Sequence, residues 1–131
     1  MTKLYLLLTA LLGGSGVILG AFGAHGLRGK VAENLLEAYK TGVHYQLIHA
    51  LALFGVVLLM QQLGERTSQQ AAGALLVAGA LFAIGVLFFS GSLYGLTFGG
   101  PRWLGPVTPL GGLLLIGGWV ALFVAALRFP H

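Results

Sequence analysis

The chain holds few side chains able to do chemistry, and they crowd into one stretch. Residues 41–53 read T-G-V-H-Y-Q-L-I-H-A-L-A-L and bring His44, Tyr45, Gln46 and His49 into otherwise apolar surroundings. On a helix, Tyr45 and His49 are four apart and share a face, and Gln46 and His49, three apart, nearly do. His44 and His49 are five apart, about 140° around the axis, and look in different directions. Further polar groups stand at His25, at Ser90, Ser92 and Tyr94, and at Thr108. Such a set suits interhelical hydrogen bonding, or a small-ligand, ion or proton site with His49 as the titratable member.

Several chemistries fall away. The chain has no Asp, so a Ser-His-Asp triad is impossible, and no serine has Gly at both −2 and +2, so there is no nucleophile elbow. Cysteine is absent, which removes disulfides, thiolate-bound iron–sulfur clusters, covalent c-type haem and a thiol nucleophile. No H-x-x-x-H pair occurs, and His44 with His49 cannot chelate one metal from one helix face. The three acids, Glu33, Glu37 and Glu65, all lie outside the apolar runs, which argues against a drug–proton exchanger built on an embedded carboxylate. Haem held by histidines from two helices stays geometrically open. No motif calls for a cofactor or a resident metal, and the balance favours a non-enzymatic protein.

The elements that must position these side chains are set by composition. With 131 residues the length suits one domain. Charged residues are 8 % of the chain, against about 25 % in a soluble domain. Hydrophobic residues are 57 % and mean hydropathy is +0.93, so the natural solvent is lipid. The net charge of +4 comes from only seven Lys and Arg, nearly all flanking apolar runs. That pattern reads as headgroup anchors and not as a nucleic-acid surface.

Four runs lack charge: 4–27, 41–64, 67–101 and 103–127. A spanning helix needs about 20 apolar residues, which places spans near 4–25, 43–63, 71–93 and 107–128. The Gly- and Pro-rich segment 94–106 is expected to be a loop at the membrane surface. In 31–40, Val31, Leu35, Ala38 and Tyr39 fall on one side of a helix and Glu33, Asn34, Glu37 and Lys40 on the other, so a short amphipathic helix lying in the interface is expected. Glu65-Arg66 should make the turn before the third span. Lys3 ahead of an apolar core resembles a signal peptide, but cleavage after Ala24 would put bulky Phe22 where a small residue is needed, so the first span is expected to be retained.

Gly13, Gly16, Gly20 and Gly23 line one stripe of the first span; Gly79 and Ala83 in the third, and Gly111, Gly118, Ala121 and Ala125 in the fourth, are spaced compatibly. In lipid such stripes are packing seams, within one chain or between copies in a homo-oligomer. No strand precedes Gly20-Ala-Phe-Gly23, so it is no dinucleotide fingerprint.

Four motifs together resemble a known family. Gly20-Ala-Phe-Gly-Ala-His25-Gly is followed by Thr41-Gly-x-x-Tyr45-Gln46-x-x-His49, by Phe89-Ser90-Gly-Ser92-Leu-Tyr94, and by Val107-Thr108-Pro109-x-Gly111-Gly112 with Gly118-Trp119. Across nearly its whole length the chain is similar to the domain-of-unknown-function 423 family of small inner-membrane proteins, which includes the transmembrane-protein-256 type. The resemblance implies a multi-pass protein of the cell (inner) membrane with no assigned activity. It also makes His44 a poorer candidate than His49, because that motif position is not fixed in type. Loop charges are nearly tied between the two sides, so the positive-inside rule does not orient the chain. The basic tail of family members tilts the reading towards cytoplasmic termini.

The expected fold is therefore all-α: a bundle of four transmembrane helices with a short interfacial helix between spans one and two. In up-down-up-down order, the end of span one, the start of span two, the end of span three and the start of span four share one membrane face. His25, Tyr45, Gln46, His49, Ser90, Ser92, Tyr94 and Thr108 should then meet at one level. This cluster is the candidate site for a small ligand, a lipid headgroup or a partner. A small transporter or channel with His49 as its proton-linked group is the alternative, and a haem- or metal-binding subunit stands behind both. Membrane lipid is the one partner the composition itself implies.

Overall fold

Apolar runs of this length leave the backbone no water to bond, and a helix satisfies its N–H and C=O groups internally. The computed structural model describes residues 1–63 and 69–130 and contains four helices long and apolar enough to cross a membrane. They are α1 (Thr2–Phe22, closing in a π-helical turn, Gly23–Leu27), α2 (Glu33–Leu63), α3 (Gln69–Thr97) and α4 (Leu104–Leu127). The expected turn at Glu65-Arg66 lies outside the described residues.

Packing runs in chain order, with α2 and α3 central. One apolar core gathers Tyr5, Leu53, Val56, Leu75, Phe82 and Ala125, from the start of α1, the end of α2, the first half of α3 and the end of α4. A second gathers Leu27, Tyr39 and Val43, with Tyr94 packed against them at the opposite end. This is the up-down-up-down arrangement. The outer faces of α1 and α4 are exposed and apolar, as at Leu11, Ile18, Leu113 and Phe123, which is what helices facing lipid present.

Small residues set how close the helices come. A Cβ built on Gly111 would lie 2.8 Å from Phe89 Cα, so α3 and α4 touch backbone to backbone there. The same seam sets Gly85 against Leu115 and Gly118 against Phe82. With Ser92 bonded to Thr108, this antiparallel register holds across the whole contact. In the α1–α2 seam, a Cβ on Gly16 would meet Leu47 at 2.6 Å, on Gly20 Val43 at 3.3 Å and on Gly23 Tyr39 at 2.5 Å. Gly79 is covered by the ring of Tyr5. These glycines therefore serve packing within the chain. Gly13, expected in the same seam, has open space around it and lies at its edge.

Two expectations are corrected. Segment 31–40 is not a separate interfacial helix: from Glu33 it forms the first turns of α2, without a break at Thr41-Gly42. The reason is a continuous buried stripe, with Tyr39, Gly42, Val43, Gln46, His49 and Ala50 following one another at helical spacing. The change of composition near Lys40 marks a change of surroundings and not the end of a helix. At 31 residues α2 is about 46 Å long, well beyond the roughly 30 Å hydrocarbon core, so its charged start reaches headgroup depth.

The loop expected at 94–106 is shorter. α3 continues to Thr97 and α4 begins at Leu104. Pro106 is tolerated because it stands in the first turn of α4, where its missing N–H has no helical partner anyway. What ends α3 is a Schellman cap. Gly99 adopts φ +82°, the Gly100 N–H reaches Gly95 O at 2.7 Å, and the Gly99 N–H reaches Leu96 O at 3.3 Å.

Candidate functional site

The α2 stripe carries polar side chains into the bundle, and each finds a partner on another helix. Gln46 is 3 % exposed. Its Nε2 donates to Leu12 O and to Ser15 Oγ on α1, both at 2.8 Å, and its Oε1 accepts from the Tyr94 hydroxyl on α3 at 2.7 Å. A carbonyl oxygen can only accept, so the contact with Leu12 fixes which end of the amide points at α1. One side chain thus ties three helices together.

His49 is 4 % exposed and lies between α3 and α4. Trp119 Nε1 donates to its Nε2 at 3.0 Å, and its Nδ1 is 2.8 Å from Tyr45 O. An indole nitrogen can only donate, so Nε2 must be the unprotonated, accepting nitrogen. The proton then sits on Nδ1 and is donated to the Tyr45 carbonyl. His49 is held as a neutral imidazole of one tautomer, packed among Phe82, Trp119 and Tyr45 at centroid distances of 5.6, 5.8 and 6.0 Å. Imidazole ¹⁵N NMR should accordingly show a single neutral Nδ1–H form. In Trp119→Phe, Nε2 loses its donor, the Nε2 resonance should move, and stability should fall by about 1 kcal/mol. A ring signal indifferent to that substitution would show that the bond is not made.

Two smaller locks complete the set. Ser90 Oγ donates to Gly42 O at 2.6 Å, joining α3 to α2. The Ser92 and Thr108 hydroxyls lie 2.5 Å apart, joining α3 to α4, and Ser92 Oγ also donates to Phe89 O at 2.9 Å. Nearby, Thr97 Oγ1 donates to Leu93 O at 2.8 Å and lies 3.3 Å from Leu35 O on α2.

Of the eight residues expected to meet, Gln46, His49, Ser90, Ser92, Tyr94 and Thr108 are brought into the bundle at adjoining levels, in separate hydrogen-bonded locks. Tyr45 is 40 % exposed. It contributes its carbonyl to His49 and its ring to Phe89, with centroids 4.6 Å apart. His25 is exposed in the π-helical turn, outside these networks, because that turn carries its side chain past the α1–α2 seam. His49 takes Trp119 and the Tyr45 carbonyl as partners, Ser90 takes the Gly42 carbonyl, and Ser92 and Thr108 take each other.

Sequence reasoning missed four bonding partners: Trp119, Ser15, Tyr39 and Tyr5. The Tyr39 hydroxyl donates to Leu19 O at 2.5 Å and that of Tyr5 to Leu76 O at 2.6 Å. The available signal was residue type. A Tyr or Trp in an apolar run has a polar tip that must find a partner when buried.

Chemically the cluster offers little. Neither ring nitrogen of His49 has a free lone pair to give a metal or a haem iron. Among the described residues no three His, Asp or Glu side chains converge. Surface clefts of about 260, 500 and 580 Å³ are lined by other residues than Gln46, His49, Ser90, Ser92 and Thr108.

The family described as "Protein of unknown function (DUF423)" matches residues 19–112, which hold all of α2 and α3 with the first turns of α4. The chain belongs to the DUF423 family. It is 41 % identical to the UPF0382 membrane protein YwdK of Bacillus subtilis over 127 residues, covering 97 % of this chain and 98 % of that one. It is 40 % identical over 129 residues to the UPF0382 membrane protein SAB0533 of Staphylococcus aureus, with the same coverage. Against SERP0230 of Staphylococcus epidermidis it is 38 % identical over 127 residues. No solved structure matches it significantly. Together with its four candidate spans, these relatives make this DUF423 chain a multi-pass membrane protein. Most of the bonding residues fall inside the matched region; Tyr5, Leu12, Ser15 and Trp119 lie outside it.

Proposed function

We propose that this protein is a non-enzymatic binding protein of the membrane. Its body is a four-helix bundle packed in chain order, and it meets its ligand on its outer surface at the end carrying Leu27 and Tyr39. The observation that supports this reading is the engagement of both nitrogens of His49 and of both ends of the Gln46 amide by the protein itself. A proton relay needs a group that can change partners during turnover. His49 would have to release Trp119 to accept a second proton, in a dry and closely packed environment. The expected binding role of the polar cluster accordingly moves outward, to the headgroup layer. In this reading the protein sits in the cell (inner) membrane with cytoplasmic termini, and the Leu27–Tyr39 end faces away from the cytoplasm. The start of α1 and the end of α4 pack into one core, which supports both termini sharing a side.

Proteoliposomes with a trapped pH dye test this. Under an imposed pH gradient the wild-type protein and His49→Gln should both leak protons at the rate of empty vesicles. A flux that the wild type supports and His49→Gln abolishes would restore the transporter and end the proposal.

A further inference from the structure

A groove runs down the outside of the α1–α2 seam. At its charged end, a cleft of about 140 Å³ is bounded by Arg28, Leu36 and Lys40 beside the π-helical turn. A second cleft, of about 260 Å³, shares Gly23, Ala24 and Lys40 with the first and continues over Gly20 and Val43 to Leu47. Leu47 also lines a third cleft of about 580 Å³, which carries the groove over Gly13 and Val17 to Leu51 and Phe54. The three clefts share walls and lie end to end along the seam, with the half-buried Leu47 side chain between the second and the third, cationic at one end and apolar beyond.

Its dimensions are those of a lipid in one leaflet. From Lys40 to Phe54 along α2 is about 21 Å, against about 15 Å for half of a 30 Å hydrocarbon core. The surplus places Lys40 and Arg28 at headgroup depth. Glycines keep the α1 wall low: Gly13 has nothing within 4 Å of a built Cβ. The π-helical turn at Gly23–Leu27 widens the helix where the headgroup would lie, a feature common at functional sites.

Charge selects the occupant. Arg28 and Lys40 are exposed at the groove mouth, with His44 beside them. The acid facing them is Glu37, 3.7 Å from Lys40 in a solvent-exposed i,i+3 pair that holds the lysine weakly. We infer that the α1–α2 groove binds one anionic glycerophospholipid, its phosphate between Arg28 and Lys40 and an acyl chain lying over Gly20, Leu47 and Gly13. A second copy of the chain suits this face less well, because a two-fold contact would set these cations against their own copies.

The inference rests on the reading above only in taking the ligand to lie outside the bundle. Native mass spectrometry of the full chain, released from nanodiscs of equal phosphatidylglycerol and phosphatidylcholine, tests it. The wild type should retain one phosphatidylglycerol in clear preference to phosphatidylcholine. Arg28→Glu with Lys40→Glu should lower that preference by about tenfold or more. Gly13→Leu fills the apolar channel without touching a charge and should also lose the lipid. Gly14→Leu, equally open but outside the groove, should keep it. Equal retention of the two lipids by the wild type overturns the inference, as does retention unchanged in Gly13→Leu. A lipid-free dimer that Gly13→Leu dissociates overturns it in favour of self-association. Lipid retention together with His49-dependent proton flux would leave this inference standing and remove the proposed function instead.

Discussion

Gly111→Val is expected to cost more than about 3 kcal/mol and to separate α4 from α3. At this point no side chain can yield. The added Cβ would stand 2.8 Å from Phe89 Cα and from the carbonyl carbon of Phe88, so the obstruction is backbone. Relief requires moving the helices apart, which opens the neighbouring contacts of Gly85 with Leu115 and Gly118 with Phe82, and the Ser92–Thr108 bond. Overpacking a tight core commonly costs about 1–3 kcal/mol, and a backbone obstruction belongs at or above the top of that range. Thermal unfolding in mild detergent, followed by circular dichroism, reads the loss. Gly14→Val is the control: its Cβ would have nothing within 4 Å, so it should change stability little. Equal melting of the two variants would mean that α3 and α4 do not approach as described.

Gln46→Leu should produce the next largest effect. It removes three hydrogen bonds at once and takes the acceptor Oε1 away from the Tyr94 hydroxyl, while the Leu12 carbonyl keeps its bonds within α1. Single interhelical bonds in membrane proteins contribute about 0.6 kcal/mol on average, reaching about 1.7. Three from one buried amide suggest a loss of about 2 kcal/mol. The signature that distinguishes a lock from simple packing is non-additivity. Once Gln46 is leucine, Tyr94→Phe removes a hydroxyl that has lost this acceptor and should cost less than the same change in the wild type. Equal costs in the two backgrounds would show that the Gln46–Tyr94 bond carries no stability.

Both effects arise from features that the sequence displays only in part. The glycine stripes were legible because a small residue at three- and four-residue spacing in an apolar run has a direct physical use in lipid. Which helix each stripe meets was not legible, since Gly20 opposite Val43 and Gly111 opposite Phe89 are matters of register. Polar residues within the spans were equally legible, because an unpaired polar group in hydrocarbon is costly and must turn inward. Their partners were not. Trp119 lies 70 residues from His49, and the bond exists only because α4 packs on α3 in a register that brings the indole over to α2. The join between 31–40 and the second span was misjudged because charge content changes there while the buried stripe does not.

By itself the sequence determined that this protein lives in lipid, that it crosses the membrane in four helices, and that one face gathers its hydrogen-bonding side chains. Those properties follow from composition and local periodicity, which each segment carries whatever its neighbours are. The tertiary structure alone decided which side chains and carbonyls these groups bond, that His49 is fixed as a neutral donor–acceptor, and that clefts with a cationic mouth lie along the outside of the first two helices. Such facts depend on which atoms of distant segments come within about 3 Å, and helix register sets that distance.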